Sequence, residues 1–175
     1  RAQTRTLAEL LVERADDWRP PRVDAGAVVQ RHCHQYAVMG FDADREILER
    51  AGVDADVLDA GCCGLAGNFG FEKGHYDVSM ACAEAGLLPA VRQADDSTLV
   101  LADGFSCRTQ VDQAGTGRTP LHLAEILATG LRGREAVADR PAPPGRRALL
   151  PLAGAGAALL AAAVGARRVR ASRVT

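Results

Sequence analysis

The chain has 175 residues and a formal net charge of −1, with 47% hydrophobic, 25% charged and 4% aromatic residues. The apolar content excludes an intrinsically disordered chain. Balanced charge and few aromatics exclude the usual nucleic-acid binder, whether basic or base-stacking. Residues 4–16 set Leu7, Leu10, Leu11 and Ala15 at helical spacing, with Thr4 as N-cap, and Arg19-Pro20-Pro21 ends that helix. Residues 27–31 read as a first strand. Asp42 caps a helix to about Ala51, ended by Gly52. Residues 55–59 read as a second strand. A helix over 75–93 follows, with Gly86 and Pro89 as points where it splits. Residues 98–102 are the clearest strand. A short helix follows Cys107, and another covers 120–129 with Pro120 at its first position.

This β-α-β-α-β-α order predicts an α/β fold, a small three-layer parallel sheet with flanking helices. Pro141-Ala142-Pro143-Pro144-Gly145 reads as a linker. The expected organisation is a cysteine-rich domain over 1–140, a Pro-rich linker over 141–147, and an Ala/Gly-rich apolar helix with a basic tail over 148–175. Residues 146–175 hold six Arg and no acid, which leaves −7 on the first 145 residues. The first residue is Arg1, and no charged, apolar leader follows it. The sequence is therefore read as the C-terminal piece of a longer, cytoplasmic protein without a signal peptide.

Five cysteines, an odd number, argue against a disulfide framework. Cys33 falls just after the first expected strand, Cys62 and Cys63 after the second, and Cys107 after the third. Parallel sheets bind ligands at the carboxyl ends of their strands, so these thiols are expected to converge there. Glycines flank the pair in Gly61-Cys62-Cys63-Gly64, which lets the backbone turn sharply beside a metal centre. Thiolate clusters point first to zinc or iron–sulfur chemistry. Within Arg31-His32-Cys33-His34-Gln35, His32 and His34 share one side of the backbone if the strand continues. His32 or His34 is a candidate ligand or proton donor to the site, against the plainer reading of polar loop residues, and His75 is a candidate neighbour of the site, against a surface role. Cys107 at a helix start is biased toward thiolate, with Arg108 beside it to offset negative charge. Cys82, inside a helix, is expected to pack in the core.

Three separated motifs, His32-Cys33-His34-Gln35, Gly61-Cys62-Cys63-Gly64 through Tyr76, and Ala102-Asp103-Gly104-Phe105-Ser106-Cys107-Arg108, carry a resemblance. Together they resemble the cysteine-rich CCG domain of iron–sulfur oxidoreductases, over about residues 1–130. The closer likeness is to the C-terminal part of FAD-linked oxidase/iron–sulfur flavoproteins that oxidise D-lactate or D-2-hydroxyglutarate. The resemblance implies that Cys33, Cys62, Cys63 and Cys107 ligate an iron–sulfur cluster, of 4Fe–4S type. It implies an electron-transfer module with no catalytic residue of its own. FAD and ferredoxin-type domains would lie upstream in the same parent chain, and a membrane quinone or another acceptor would take the electrons. Gly104 departs from the family pattern, standing where the first cysteine of a final Cys-x-x-Cys pair is expected.

Two alternatives stay open: a thiol/disulfide or substrate-docking domain without a cluster, and a structural zinc domain. The apolar run 148–166 has 19 residues without a charge, against the ~20 that a spanning helix needs. Membrane anchor, helix-packing tail and disordered extension all fit its Ala- and Gly-rich composition.

Overall fold

In the computed structural model, which describes residues 4–15 and 17–133, three short strands form one sheet. They are β1 (Gly26–Gln30), β2 (Asp54–Val57) and β3 (Leu99–Ala102), all parallel, in the order β2-β1-β3. Ala27 of β1 pairs with Ala55 on one side and Leu99 on the other. The central strand is covered on both faces, so its aliphatic run Ala27-Val28-Val29 is buried throughout.

Seven helices are described: α1 (Leu7–Arg14), α2 (Cys33–Met39), α3 (Asp42–Arg50), α4 (Tyr76–Glu84), α5 (Leu87–Gln93), α6 (Phe105–Gln113) and α7 (Leu123–Arg132). Side chains alternate along each strand and sort the helices into two layers. Ala27, Val29, Leu99 and Leu101 pack with Ile47 and Leu48 of α3 and Leu123 and Ile126 of α7. Val28, Val100 and Ala102 pack with Leu87, Leu88 and Val91 of α5 and Val111 of α6. Cys63 and Cys107 belong to this second core. At the sheet's edges, β2 turns Asp54 and Asp56 to solvent, which discourages further strand pairing. Leu121 covers β3: its N–H donates to Val100 O at 2.7 Å, and its carbonyl accepts from Ala102 at 2.9 Å.

The α/β class and the parallel three-stranded sheet agree with the sequence reading, and several boundaries do not. The first helix begins after Thr6, not Thr4. Thr6 Oγ1 accepts from Glu9 N–H at 3.1 Å while Glu9 Oε2 accepts from Thr6 N–H at 2.7 Å. Thr4 has Leu7 at the corresponding position and cannot form that reciprocal cap. The chain does not continue as strand through His32 and His34; it enters α2 at Cys33. Phe41 is the N-cap of α3, and Asp42 is its first helical residue. The 75–93 helix is two helices, interrupted at Ala85 and Gly86. Cys107 lies within the first turn of α6 rather than before it. Pro120 stays outside α7 because Leu121 is committed to β3. His122 caps that helix instead, its Nδ1 accepting from Ala124 N–H at 3.1 Å. The expected linker 141–147 and the apolar segment 148–175 lie outside the described residues. Among those described, no helix is long and apolar enough to cross a membrane.

One buried charge sits in this framework. Asp44, in the first turn of α3, is 3% exposed. Gln35 Nε2 approaches its carboxylate at 3.4 Å. Burial, then repulsion from Asp103, raises its pKa from 3.8 to about 6. The folded state therefore holds this proton more tightly than the unfolded state does. The stability it contributes is full below about pH 4 and is lost as pH rises through about 6. Asp44→Asn keeps an acceptor for Gln35 and removes the buried charge. It is expected to stabilise the fold at pH 7.5 by roughly 1–3 kcal/mol and to have little effect at pH 4, measured by urea unfolding at both values.

Candidate thiol site at the carboxyl edge of the sheet

Gln30 ends β1 and is buried, although polar. Its Nε2 donates to Gly61 O at 2.9 Å and to Arg31 O at 3.2 Å, tying the loop after β2 to the end of β1. Its Oε1 is buried without a hydrogen-bond partner among the described residues. The loop then runs Gly61-Cys62-Cys63-Gly64 beneath α4. Gly64 has φ +86°, and a Cβ there would lie 2.0 Å from Ser79 O, so only glycine passes this point. Gln110 of α6 fixes that backbone from the other side, donating to Ser79 O and Oγ at 3.3 Å each. Gly67 N–H donates to Ser106 Oγ at 2.9 Å, joining the same loop to the start of α6.

These ties hold the three thiol-bearing segments together at one edge of the sheet. Cys63 and Cys107 are buried, Cys33 and Cys62 exposed, and all are reduced. Cys63 packs in one core with Cys107, and the neighbouring Cys107 thiol, the Leu65 and Ala66 N–H groups and Cys62 all act on it. These neighbours, Cys107 above all, favour the thiolate and lower the Cys63 pKa, against the opposing effect of burial. Cys107 moves the other way, because its proton is held by Cys63 and the site is desolvated. Partial burial pushes Cys62 up, as do the adjacent Cys63 and Cys33, while Gly64 N–H opposes this by donating to its sulfur at 3.4 Å. Cys62 and Cys33 are exposed and Cys63 and Cys107 buried, so the thiols run from surface to core. Such a set offers soft donors to a metal centre, or neighbouring thiols to redox chemistry. Among the described residues, no three His, Cys, Asp or Glu side chains are arranged to hold a metal ion as they stand.

The remaining expected residues divide. His32 is half-buried beside Cys107, whereas His34 is exposed on α2, their ring centroids 6.5 Å apart. His75 stacks on Phe69 with centroids 4.2 Å apart and places Nδ1 3.2 Å from Glu72. Its contacts serve the turn before α4 rather than the thiols. Arg108 reaches Glu125 at 3.5 Å, linking α6 to α7, while its Nε is buried without a hydrogen-bond partner among the described residues. Cys82 is exposed rather than packed in the core, because α4 turns it outward beside Gly64. Gln30, Ser79 and Ser106 carry no signal in the sequence. Their roles depend on which loops lie over them.

Comparison with known proteins finds relatives among dehydrogenases. The chain is 35% identical over 82 residues to a subunit of the anaerobic glycerol-3-phosphate dehydrogenase of Escherichia coli (strain K12), covering 46% of this chain and 19% of that protein. It is 36% identical over 101 residues to the D-2-hydroxyglutarate dehydrogenase of Escherichia coli (strain K12), covering 55% of this chain and 10% of the relative. The D-2-hydroxyglutarate dehydrogenase of Pantoea ananatis (strain AJ13355) is 35% identical over 84 residues, covering 46% of this chain and 8% of its own. The chain thus spans less than a fifth of the length of these relatives, and its similarities lie within oxidoreductases. No protein-family model matches it, and no solved structure does.

The loop geometry separates two glycines. Gly64→Ala meets the Ser79 carbonyl and is expected to cost more than ~3 kcal/mol. Gly61 also has positive φ, +65°, but faces open space. Gly61→Ala is expected to cost about 1–2 kcal/mol, the penalty of a left-handed conformation alone. Chemical denaturation of both variants checks the order.

Proposed function

We propose that this chain is an electron-transfer module of an iron–sulfur flavoprotein oxidoreductase that acts on 2-hydroxy acids. The observation that carries the reading is that Cys33, Cys62, Cys63 and Cys107 lie on the segments that leave the same edge of the sheet after its three parallel strands, with Cys63 and Cys107 buried in one core. The dehydrogenase names of the relatives support the reaction class, and D-2-hydroxyglutarate in two of them supports the substrate class.

The donor chemistry fits an iron–sulfur centre. In this reading the thiolates of Cys33, Cys62, Cys63 and Cys107 hold the cluster, 4Fe–4S in type. When bound, the cluster supplies one-electron redox chemistry between a flavin and an acceptor. The chain's own residues set its surroundings. Leu65 and Ala66 direct N–H groups at Cys63 sulfur, which stabilises negative charge there. Gln30 and Ser106 hold the loop that carries both adjacent cysteines. Burial of Cys63 and Cys107 keeps water from one side of the site. The flavin and the hydroxy-acid site belong to FAD-linked and ferredoxin-type domains of the same parent protein, and the acceptor is a quinone or another carrier.

The exposure of the free thiols Cys33 and Cys62, on segments that leave the same sheet edge, favours a second reading, a dithiol site without metal. Two thiols would pass two electrons and two protons to a low-molecular-weight disulfide, leaving one protein disulfide and two small thiols.

The two readings separate on the full 175-residue chain, reconstituted anaerobically with iron and sulfide. The expected result is matching iron and acid-labile sulfide with a reducible EPR signal, lost in Cys63→Ser and Cys107→Ser and kept in Cys82→Ser. A chain that takes up no iron, and whose thiol titre instead falls reversibly with glutathione disulfide, would establish the second reading.

A further inference from the structure

We infer that Asp44 is a positioning residue for Cys33, holding it at the thiol site through Gln35 and helix α2. The inference rests on the iron–sulfur reading and names what keeps one of its four ligands in place. Cys33 is the first residue of α2, so the thiol moves with that helix. The helix itself has little to hold it. None of its seven residues is buried, and none belongs to either core. Its N-cap, His32, makes no side-chain capping bond. At its far end, Met39 and Gly40 line a cavity of about 210 Å³ with Thr6, Glu9 and Asp44. A helix this short, without a buried face, is not stable on its own in water.

Two side-chain contacts tie α2 to the body of the fold. Arg31, one residue past β1, lies over the Tyr36 ring, 3.9 Å from its centroid. That contact is at the surface, where Tyr36 is exposed. Gln35 Nε2 reaches both carboxylate oxygens of Asp44, at 3.5 and 3.4 Å. This second contact ends on a buried side chain of α3 and fixes α2 against it. Burial and the negative charges of Asp103 and Glu9 all disfavour an ionised Asp44. Packing alone would therefore favour a neutral residue at this position. What the carboxylate adds is an ionic acceptor, stronger than a neutral one, at the point where α2 meets the body. Gln35 lies two residues from Cys33 on the same helix, so the grip on one is a grip on the other.

The test compares the full chain with Gln35→Ala, Asp44→Leu and Asp44→Asn, before and after anaerobic loading with iron and sulfide. Gln35→Ala opens the contact without touching either core, and Asp44→Asn keeps an acceptor. Before loading, the readout is hydrogen exchange of the Tyr36 and Gly40 amides, which donate within α2 to His32 O at 2.9 Å and Tyr36 O at 3.2 Å. Exchange is expected to be roughly tenfold faster in Gln35→Ala and Asp44→Leu than in wild type and Asp44→Asn. After loading, the readout is alkylation by iodoacetamide, mapped by mass spectrometry. Cys33 is expected to react roughly tenfold faster in the same two variants, while Cys62, Cys63 and Cys107 stay protected. Cys82, exposed and outside the ligand set, is the internal standard. Exchange of α2 unchanged in Gln35→Ala, all four cysteines becoming reactive together, or protection lost equally in Asp44→Asn would each overturn the positioning role and leave the iron–sulfur reading standing. A wild type that takes up no iron would overturn both.

Discussion

Parallel pairing of β1 with both of its neighbours makes all three strands release the chain at the same edge of the sheet. Everything distinctive about the site depends on that constraint. The segments that follow carry Cys33, Cys62-Cys63 and Cys107, separated by tens of residues in sequence. In an antiparallel arrangement, alternate strands would deliver their cysteines to opposite edges. The helical layers that make parallel pairing possible also bury the central strand, and Cys63 and Cys107 lie within one of those layers.

Convergence at an edge is coarse, and the polar ties refine it. Gln30, the last residue of β1, holds Gly61 from below, Ser106 holds Gly67 from the side, and Gln110 braces Ser79 behind Gly64. Each is a hydrogen bond between a polar side chain and the backbone of another segment. Such bonds contribute about 1 kcal/mol each to stability, but losing one partner of a buried pair costs more. Their main effect is positional: they fix where two adjacent thiols emerge. The thiols then share protons unevenly, with thiolate favoured at Cys63 and thiol at Cys107.

Much of this framework is legible in the sequence. The aliphatic run at 98–102 has one interpretation, and the observed β3, Leu99–Ala102, differs by a single residue. The short α2 is not legible, because none of its residues is buried and no apolar periodicity announces it. The cap at His122 does carry a readable sign, Glu125 three residues on, the same spacing as Thr6 and Glu9. Pro120 is the more conspicuous start signal, but its neighbour Leu121 is held by β3 instead. At the site, residue type draws attention to the cysteines, and the family resemblance to Gly104. The buried role of Gln30 and the packing of His32 on Gly104 are not legible, because both arise from loops that meet only after the sheet forms.

The relatives add the reaction context, as each is a dehydrogenase or a subunit of one, while this chain spans only a small share of each. The central claim is that these thiols hold iron and sulfide together. Iron X-ray absorption on the anaerobically loaded full chain tests it most directly. The account predicts that sulfur dominates the atoms nearest iron, accompanied by iron–iron scattering. Oxygen and nitrogen alone around iron, with no second iron, would contradict it.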